Sequence, residues 1–295
     1  MKDLAGIIMA AGEGIRMKSR TPKVLHCFCG KELLRYPVEL LSRAGVGRIV
    51  VVVSPASQDA VKELLGDSVE YAVQSAKTGT AGAVESAAAA LRGQAQQVVV
   101  IGGDSPLVTE ESVRSLVSGH LENSRQMSVL SGIVADGRGL GRINRDLGSQ
   151  QNILGINEAS DDRERLNEHV EVNSGVYCFQ GEWLWENLGR VTVGSGPERY
   201  LTDLAAIAAD QGANVAALPS NDPDEALGIN NRVELANLEN IQRRRIREHW
   251  MLEGVTITDP ASVMIDAGVT IGQDTVVLPN TILLGSTSIG SSCEI

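Results

Sequence analysis

The sequence predicts an α/β domain built on a mostly parallel sheet (residues 1–229), then a linking helix (230–252) and the start of a hexapeptide-repeat parallel β-helix (253–295). Three observations predict it: continuous apolar runs alternating with helical segments, a charged segment after Asn231 with apolar residues at helical spacing, and apolar residues recurring every six positions from Val263.

The runs Ala5–Ala11, Ile49–Val53 and Val98–Ile101 lack the polar alternation of a half-exposed sheet and read as strands covered on both faces. Between them, Leu33–Ala44 has apolar residues at helical spacing and is followed by Gly45, while the alanine-rich Thr80–Arg92 ends at Gly93. Strand, helix, strand in this order gives a parallel sheet with right-handed crossovers. Such sheets bind ligands at the carboxyl ends of their strands.

In "RVELANLENIQRRRIREHW", Val233, Leu238, Ile241 and Ile246 keep a roughly helical interval with charges between them. The "RRRIR" cluster reads as a solvated helix face rather than a nucleic-acid patch. Farther on, Ile265, Ile271, Val277, Leu283 and Ile289 stand six apart, and Val263, Val269, Thr275, Thr281 and Thr287 keep the same interval two positions earlier. A period of six excludes an α-helix and marks a stacked β-solenoid. Fewer than two coils are expected; the chain stops at "SSCEI" in mid-repeat, which reads as a solenoid cut before its terminal cap.

Of 295 residues, 43% are apolar and 21% charged, a globular mix that argues against disorder. A net charge of −11 with 3% aromatic content excludes a generic nucleic-acid surface, which needs many phosphate contacts and stacking rings. Leu4–Ala11 is too short to span a bilayer, and Asp3 stands where a signal peptide carries positive charge; a cytoplasmic protein with no membrane partner is expected. Cys27, Cys29, Cys178 and Cys293 form no CxxC pair and have no histidine at ligand spacing, so they read as free thiols.

The first strand runs into "GIIMAAGEGIRMKSRTPKV". A dinucleotide fingerprint fails here, because Met17 replaces the third glycine that allows close helix packing, and no GK[ST] makes a Walker loop. Arg16 and Lys23 add two cations to an amide-lined loop. That suits a triphosphate better than a diphosphate bridge.

"MAAGEGIRM" followed by "TPKVL" closely resembles the signature of sugar-nucleotide pyrophosphorylases, with Ile15 where many relatives have threonine. "QSAKTGTAGAV" (74–84), "GGDSPL" (102–107), "GLGRI" (139–143), "INEASD" (156–161), "EVNSGVY" (171–177), "ERYLTD" (198–203) and "GINNR" (228–232) follow. This is the order expected of the bifunctional N-acetylglucosamine-1-phosphate uridyltransferase/glucosamine-1-phosphate acetyltransferase family, and the resemblance covers essentially the whole chain. It implies a Rossmann-like nucleotidyltransferase domain, a linking helix and a left-handed β-helix. The implied reaction is attack by N-acetylglucosamine 1-phosphate on the α-phosphorus of UTP, giving UDP-N-acetylglucosamine for cell-wall precursors, and pyrophosphate. The alternatives are a pyrophosphorylase for another base or sugar and a non-catalytic UDP-sugar sensor. In the family the acetyltransferase site lies on later coils between subunits of a homotrimer, so acetyl transfer is expected to be absent here and trimerisation weaker or lost.

Neither substrate needs a protein nucleophile; the chain must supply positive charge and alignment. Arg16, which can fork two phosphate oxygens, and Lys23, a movable point charge, are the candidate transition-state cations. Lys23 also reads as a solvated turn lysine. Asp104, with Gly103 beside it at the end of "VVVIGGD", suits Mg2+; its plain alternative is a turn or N-cap residue. The resemblance gives Asp104 a metal-binding partner in Asn230. Uracil is expected near backbone groups of Met9, Ala10, Ala11 and Gly12 and the amide of Gln74. Gly79 and Thr80 open a helix, and their groups either bind nucleotide or cap that helix. The resemblance assigns Gly141, Glu158 and Asn173 to the sugar, although sequence alone reads Glu158 as a solvated carboxylate. Tyr200 and Thr202 are left to packing.

Overall fold

The computed structural model describes residues 3–135, 137, 139–146, 148, 151–158, 169–193 and 198–295. The chain divides into two compact units, Met1–Glu13 with Tyr36–Gly228 and Gly14–Arg35 with Ile229–Ile295. In chain order the longer strands and the first hairpin are β1 (Leu4–Ala10), β2 (Cys27–Phe28), β3 (Lys31–Glu32), β4 (Arg48–Val53), β5 (Glu70–Val73), β6 (Gln97–Gly102), β7 (Met127–Val134), β8 (Arg142–Arg145), β9 (Ile153–Asn157), β10 (Val170–Gln180) and β11 (Val215–Pro219). Two-residue strands follow: β12 (Thr256–Ile257), β13 (Met264–Ile265), β14 (Thr270–Ile271), β15 (Val276–Val277), β16 (Ile282–Leu283) and β17 (Ser288–Ile289). The helices are α1 (Arg35–Arg43), α2 (Gln58–Leu65), α3 (Gly79–Ser86), α4 (Ala88–Leu91), α5 (Glu110–Glu122), α6 (Gly181–Asn187), α7 (Asp203–Asp210) and α8 (Arg232–Leu252). Among the described residues no helix is long and apolar enough to cross a membrane.

In the first unit the main sheet has the order β11-β7-β10-β6-β1-β4-β5, with β8 paired to β10 and to β9. β1 lies between β4 and β6, parallel to both, with Met9 opposite Val52 on one side and Gly102 on the other. β10 runs antiparallel to β6 and β7. The apolar runs are strands buried on both faces: Ile7, Ile8, Val50 to Val53 and Val98 to Ile101 are all 0% exposed. Parallel pairing and two-sided burial go together, because crossover helices cover both faces.

Two helices differ from expectation. The Thr80–Arg92 helix is broken into α3 and α4 at Ala87; the Ser86 hydroxyl donates to the Gly82 carbonyl one turn back (2.9 Å), a bond that bends helices. α1 starts at Arg35 rather than Leu33, because the amides of Leu33 and Leu34 donate to the carbonyls of His26 and Val24 (both 2.9 Å).

The second unit holds the β2–β3 hairpin, α8 and the solenoid strands. Asn231 caps α8, its Oδ1 accepting from the amides of Val233 (2.9 Å) and Glu234 (3.0 Å). Leu238 and Ile246 are buried, but Val233 is 70% exposed. At 3.6 residues per turn it lies about 140° around the helix from both. The solenoid strands pair in parallel as β12–β15, β13–β16 and β14–β17. Six strands make two layers of three, so the expectation of fewer than two coils falls short. β12 escaped the six-residue pattern because Ile257 stands eight positions before Ile265. Ile265, Ile271, Val277 and Leu283 are buried as expected, and so are Val263, Val269 and Thr275.

His120 of α5 is buried, with Nδ1 2.9 Å from Ser128 Oγ and Nε2 3.0 Å from Gln97 Oε1. Burial, aided by the Arg125 guanidinium, pushes its pKa down from 6.5 to about 4. The unfolded chain therefore binds more protons between those values. The contribution to stability is complete above pH 6.5 and declines as pH falls toward about 4, with a slope of at most about 1.4 kcal/mol per pH unit. Urea unfolding measured across that range should show the decline in the wild type and a flatter profile in His120→Gln.

Candidate functional site

The strand ends of the first unit bring one group of expected residues together. The Gly103 amide donates to the Met9 carbonyl and the Gln74 amide to the Val53 carbonyl, each at 2.9 Å, carrying the ladder past the ends of β6 and β5. Met9 and Ala10 end β1, Met9 paired on both sides and Ala10 with Val53 of β4. Ala11 and Gly12 lie beyond it, and a Cβ on Gly12 would meet nothing within 4 Å. Beside Asp104 the chain is tight at Gly102, where a Cβ would stand 2.5 Å from Asp104 Oδ1, whereas one on Gly228 would stand at an ordinary contact distance, 4.0 Å from Asp104 Cγ. Among the described residues no three His, Cys, Asp or Glu side chains group to hold a metal. The Asp104 carboxylate is a hard oxygen donor of the kind Mg2+ takes, an ion that keeps several of its waters.

Gln74 Nε2 donates to the Gly79 carbonyl (3.0 Å) and so closes the 74–79 loop. Gly79 has φ +80°, and a Cβ there would stand 2.4 Å from the Arg199 carbonyl oxygen. Thr80 does not cap α3; its Oγ1 accepts from the Leu201 amide (2.8 Å). The cap position is Thr78, whose side chain makes no cap bond.

The remaining first-unit residues form a second group. Asn173 donates its amide N–H to the Gly141 carbonyl (2.8 Å), its Nδ2 donates to Tyr177 Oη (2.6 Å), and its Oδ1 accepts from the Gly175 amide (2.9 Å). These bonds span an irregularity in β10 between Asn173 and Tyr177, where Gly175 takes φ +76°. Tyr177 is buried, which pushes its hydroxyl pKa above the usual value, and the charge of Glu158 adds to the rise. Glu158 Oε1 accepts from the Thr202 hydroxyl at 2.5 Å. Glu158 is therefore anchored rather than simply solvated. Thr202, left to packing by the sequence reading, belongs to this group, and so does Tyr177, which the reading did not single out. Both stand in quoted motifs, "ERYLTD" and "EVNSGVY". Residues 159–161 of "INEASD" lie outside the described residues.

In the second unit, Arg16 sits in the 3-10 turn Ile15–Met17, and Met17 is buried. No α-helix starts there. Gly14 has φ +62°, and a Cβ on it would stand 2.6 Å from Lys23 Cβ, so glycine lets the lysine stem pass close. Arg16 Nη2 (3.0 Å) and Lys23 Nζ (3.4 Å) both donate to Asn230 Oδ1. The Asn230 amide donates in turn to Glu234 Oε2 (2.7 Å) in the first turn of α8.

The family profile described as MobA-like NTP transferase domain matches residues 6–215. Relatives named bifunctional protein GlmU are 40% identical in Halalkalibacterium halodurans and 42% identical in Caldanaerobacter subterraneus subsp. tengcongensis, over 99% and 100% of this chain. The chain spans 64% of the length of each. A crystal structure from Bacillus anthracis, described as a glucose-1-phosphate thymidylyltransferase in complex with a sucrose, superposes with a TM-score of 0.67 at 19% identity, over 81% of this chain and 94% of that one. At that identity the likeness concerns the fold.

Gly79→Ala combines a left-handed backbone with a clash against main chain, and should destabilise the first unit by about 2 kcal/mol in urea unfolding. An unchanged midpoint would mean that the Arg199 backbone yields freely.

Proposed function

The chain belongs to the family of MobA-like NTP transferase domains, and on that premise we propose that it joins UTP to N-acetylglucosamine 1-phosphate, giving UDP-N-acetylglucosamine and pyrophosphate. The observation that carries this reading is the convergence of Arg16 and Lys23 on one neutral oxygen, Asn230 Oδ1. Two cations held side by side by one amide oxygen concentrate positive charge at that atom. A triphosphate in attack needs that charge, since the sugar phosphate is already ionised and requires no protein base.

Arg16 forks phosphate oxygens and Lys23 follows the charge as it moves toward the leaving pyrophosphate. Gln74 Nε2 is engaged by Gly79, so its amide oxygen is the atom offered to a base N–H such as that of uracil. Ala11, Gly12, Gly79 and Thr80 border the nucleotide. Gly141, Glu158 and Asn173 receive the sugar, with Thr202 and Tyr177 orienting the two polar side chains. Asp104 would hold Mg2+, with Gly103 alongside; when bound, the ion adds positive charge at the phosphate oxygens. Nucleotide substrates of this kind place the reaction in the cytoplasm.

A pyrophosphate-release panel crossing four nucleoside triphosphates with N-acetylglucosamine, glucosamine and glucose 1-phosphates should favour UTP with the acetylated sugar, and EDTA should stop the release. Preference for another pair would overturn the substrate assignment. Binding of UDP-sugars without release from any pair would favour a sensor. Arg16→Ala and Lys23→Ala should each lower kcat about a hundredfold, near 3 kcal/mol, with KM little changed. A change confined to KM would assign the cations to ground-state binding.

A further inference from the structure

We infer that Glu225 is a positioning residue that sets the turn carrying Asp104. It lies in the 3-10 turn Pro223–Ala226, is 2% exposed, and its Oε1 accepts the Thr109 hydroxyl at 2.7 Å. Thr109 caps α5, accepting from the Ser112 amide at 3.3 Å, and stands at the far end of the short segment that begins at Asp104. The Glu225 turn is itself pinned to β7: a Cβ on Gly132 would stand 2.8 Å from Ala226 Cβ and 3.4 Å from the Pro223 carbonyl oxygen. Just beyond it, Gly228 abuts Asp104, where a Cβ would stand 3.7 Å from its carbonyl oxygen. One stretch of chain thus lies against both ends of the Asp104 segment, bonded to Thr109 through a carboxylate and running beside Asp104 at Gly228.

The chemistry of Glu225 argues for placement over simple packing. Among the described residues its Oε2 has no hydrogen-bond partner. A buried carboxylate satisfied on one oxygen by a neutral hydroxyl is costly for a residue that only fills space. The N-terminus of α5 supplies the compensating field, since helix dipoles favour negative charge at that end. A carboxylate tied to the cap therefore fixes where α5 begins, and with it the direction in which the preceding turn presents Asp104.

This inference rests on the proposed role of Asp104, and two readouts separate the two ideas. Hydrogen exchange of the 103–109 amides in the whole protein should quicken about tenfold in Glu225→Ala and in Thr109→Val, with the rest of the sheet unchanged, and should stay within about threefold of wild type in Glu225→Gln, which keeps an acceptor for Thr109. The kcat of pyrophosphate release should follow the same order, with KM for UTP unaltered. Uniformly faster exchange across the sheet, or a Glu225→Gln variant as impaired as Glu225→Ala, would overturn positioning. If wild type releases no pyrophosphate the function falls, while the exchange pattern still decides the brace.

Discussion

Everything at the strand ends depends on β1 being hydrogen-bonded on both sides by parallel strands whose faces are buried. A slip of one residue in either ladder would exchange the side chains packed on the two buried faces and lose their fit, as at Gly6, where a Cβ would stand 2.8 Å from Leu41 Cδ1, so the register with β4 and β6 is fixed by packing. The bonds from Gly103 to Met9 and from Gln74 to Val53 carry that fixed geometry one residue beyond the strands. Asp104 and the Gln74 side chain therefore leave the sheet from anchored backbone. Loops provide the functional atoms, and the ladder limits how far those atoms can wander.

The group around Asn173 and Glu158 is made differently. Its geometry comes from the irregularity in β10, which aims Asn173 toward Gly141 and Tyr177, and from side-chain bonds reaching across distant chain segments. Residues 199–202 connect the two groups: the Arg199 backbone touches Gly79, Leu201 bonds to Thr80, and Thr202 holds Glu158. A displacement of this one short stretch is felt on both sides of the first unit's site.

Local pattern was enough for the buried strands, since two-sided burial leaves unbroken apolar runs, and for most of the solenoid, since stacking imposes a period. It was not enough where a pairing joins residues far apart in sequence. Thr202 reaching Glu158 leaves no mark on the neighbours of either, and the Glu225–Thr109 bond spans more than a hundred residues. β12 was hidden by a change of spacing, and the break at Ala87 by an alanine-rich composition that otherwise favours helix. The roles proposed for Gly141, Glu158, Asn173 and Asn230 come from family likeness, because no periodicity encodes a hydroxyl-binding amide.

That residue 230 is an amide has a chemical consequence. Its oxygen attracts the guanidinium and the ammonium only as a dipole, and such a grip is loosened readily when a more negative group approaches. Hydrolysis of this side chain to aspartate during ageing of the protein would convert the grip into two full ion pairs, immobilising both cations against the start of α8.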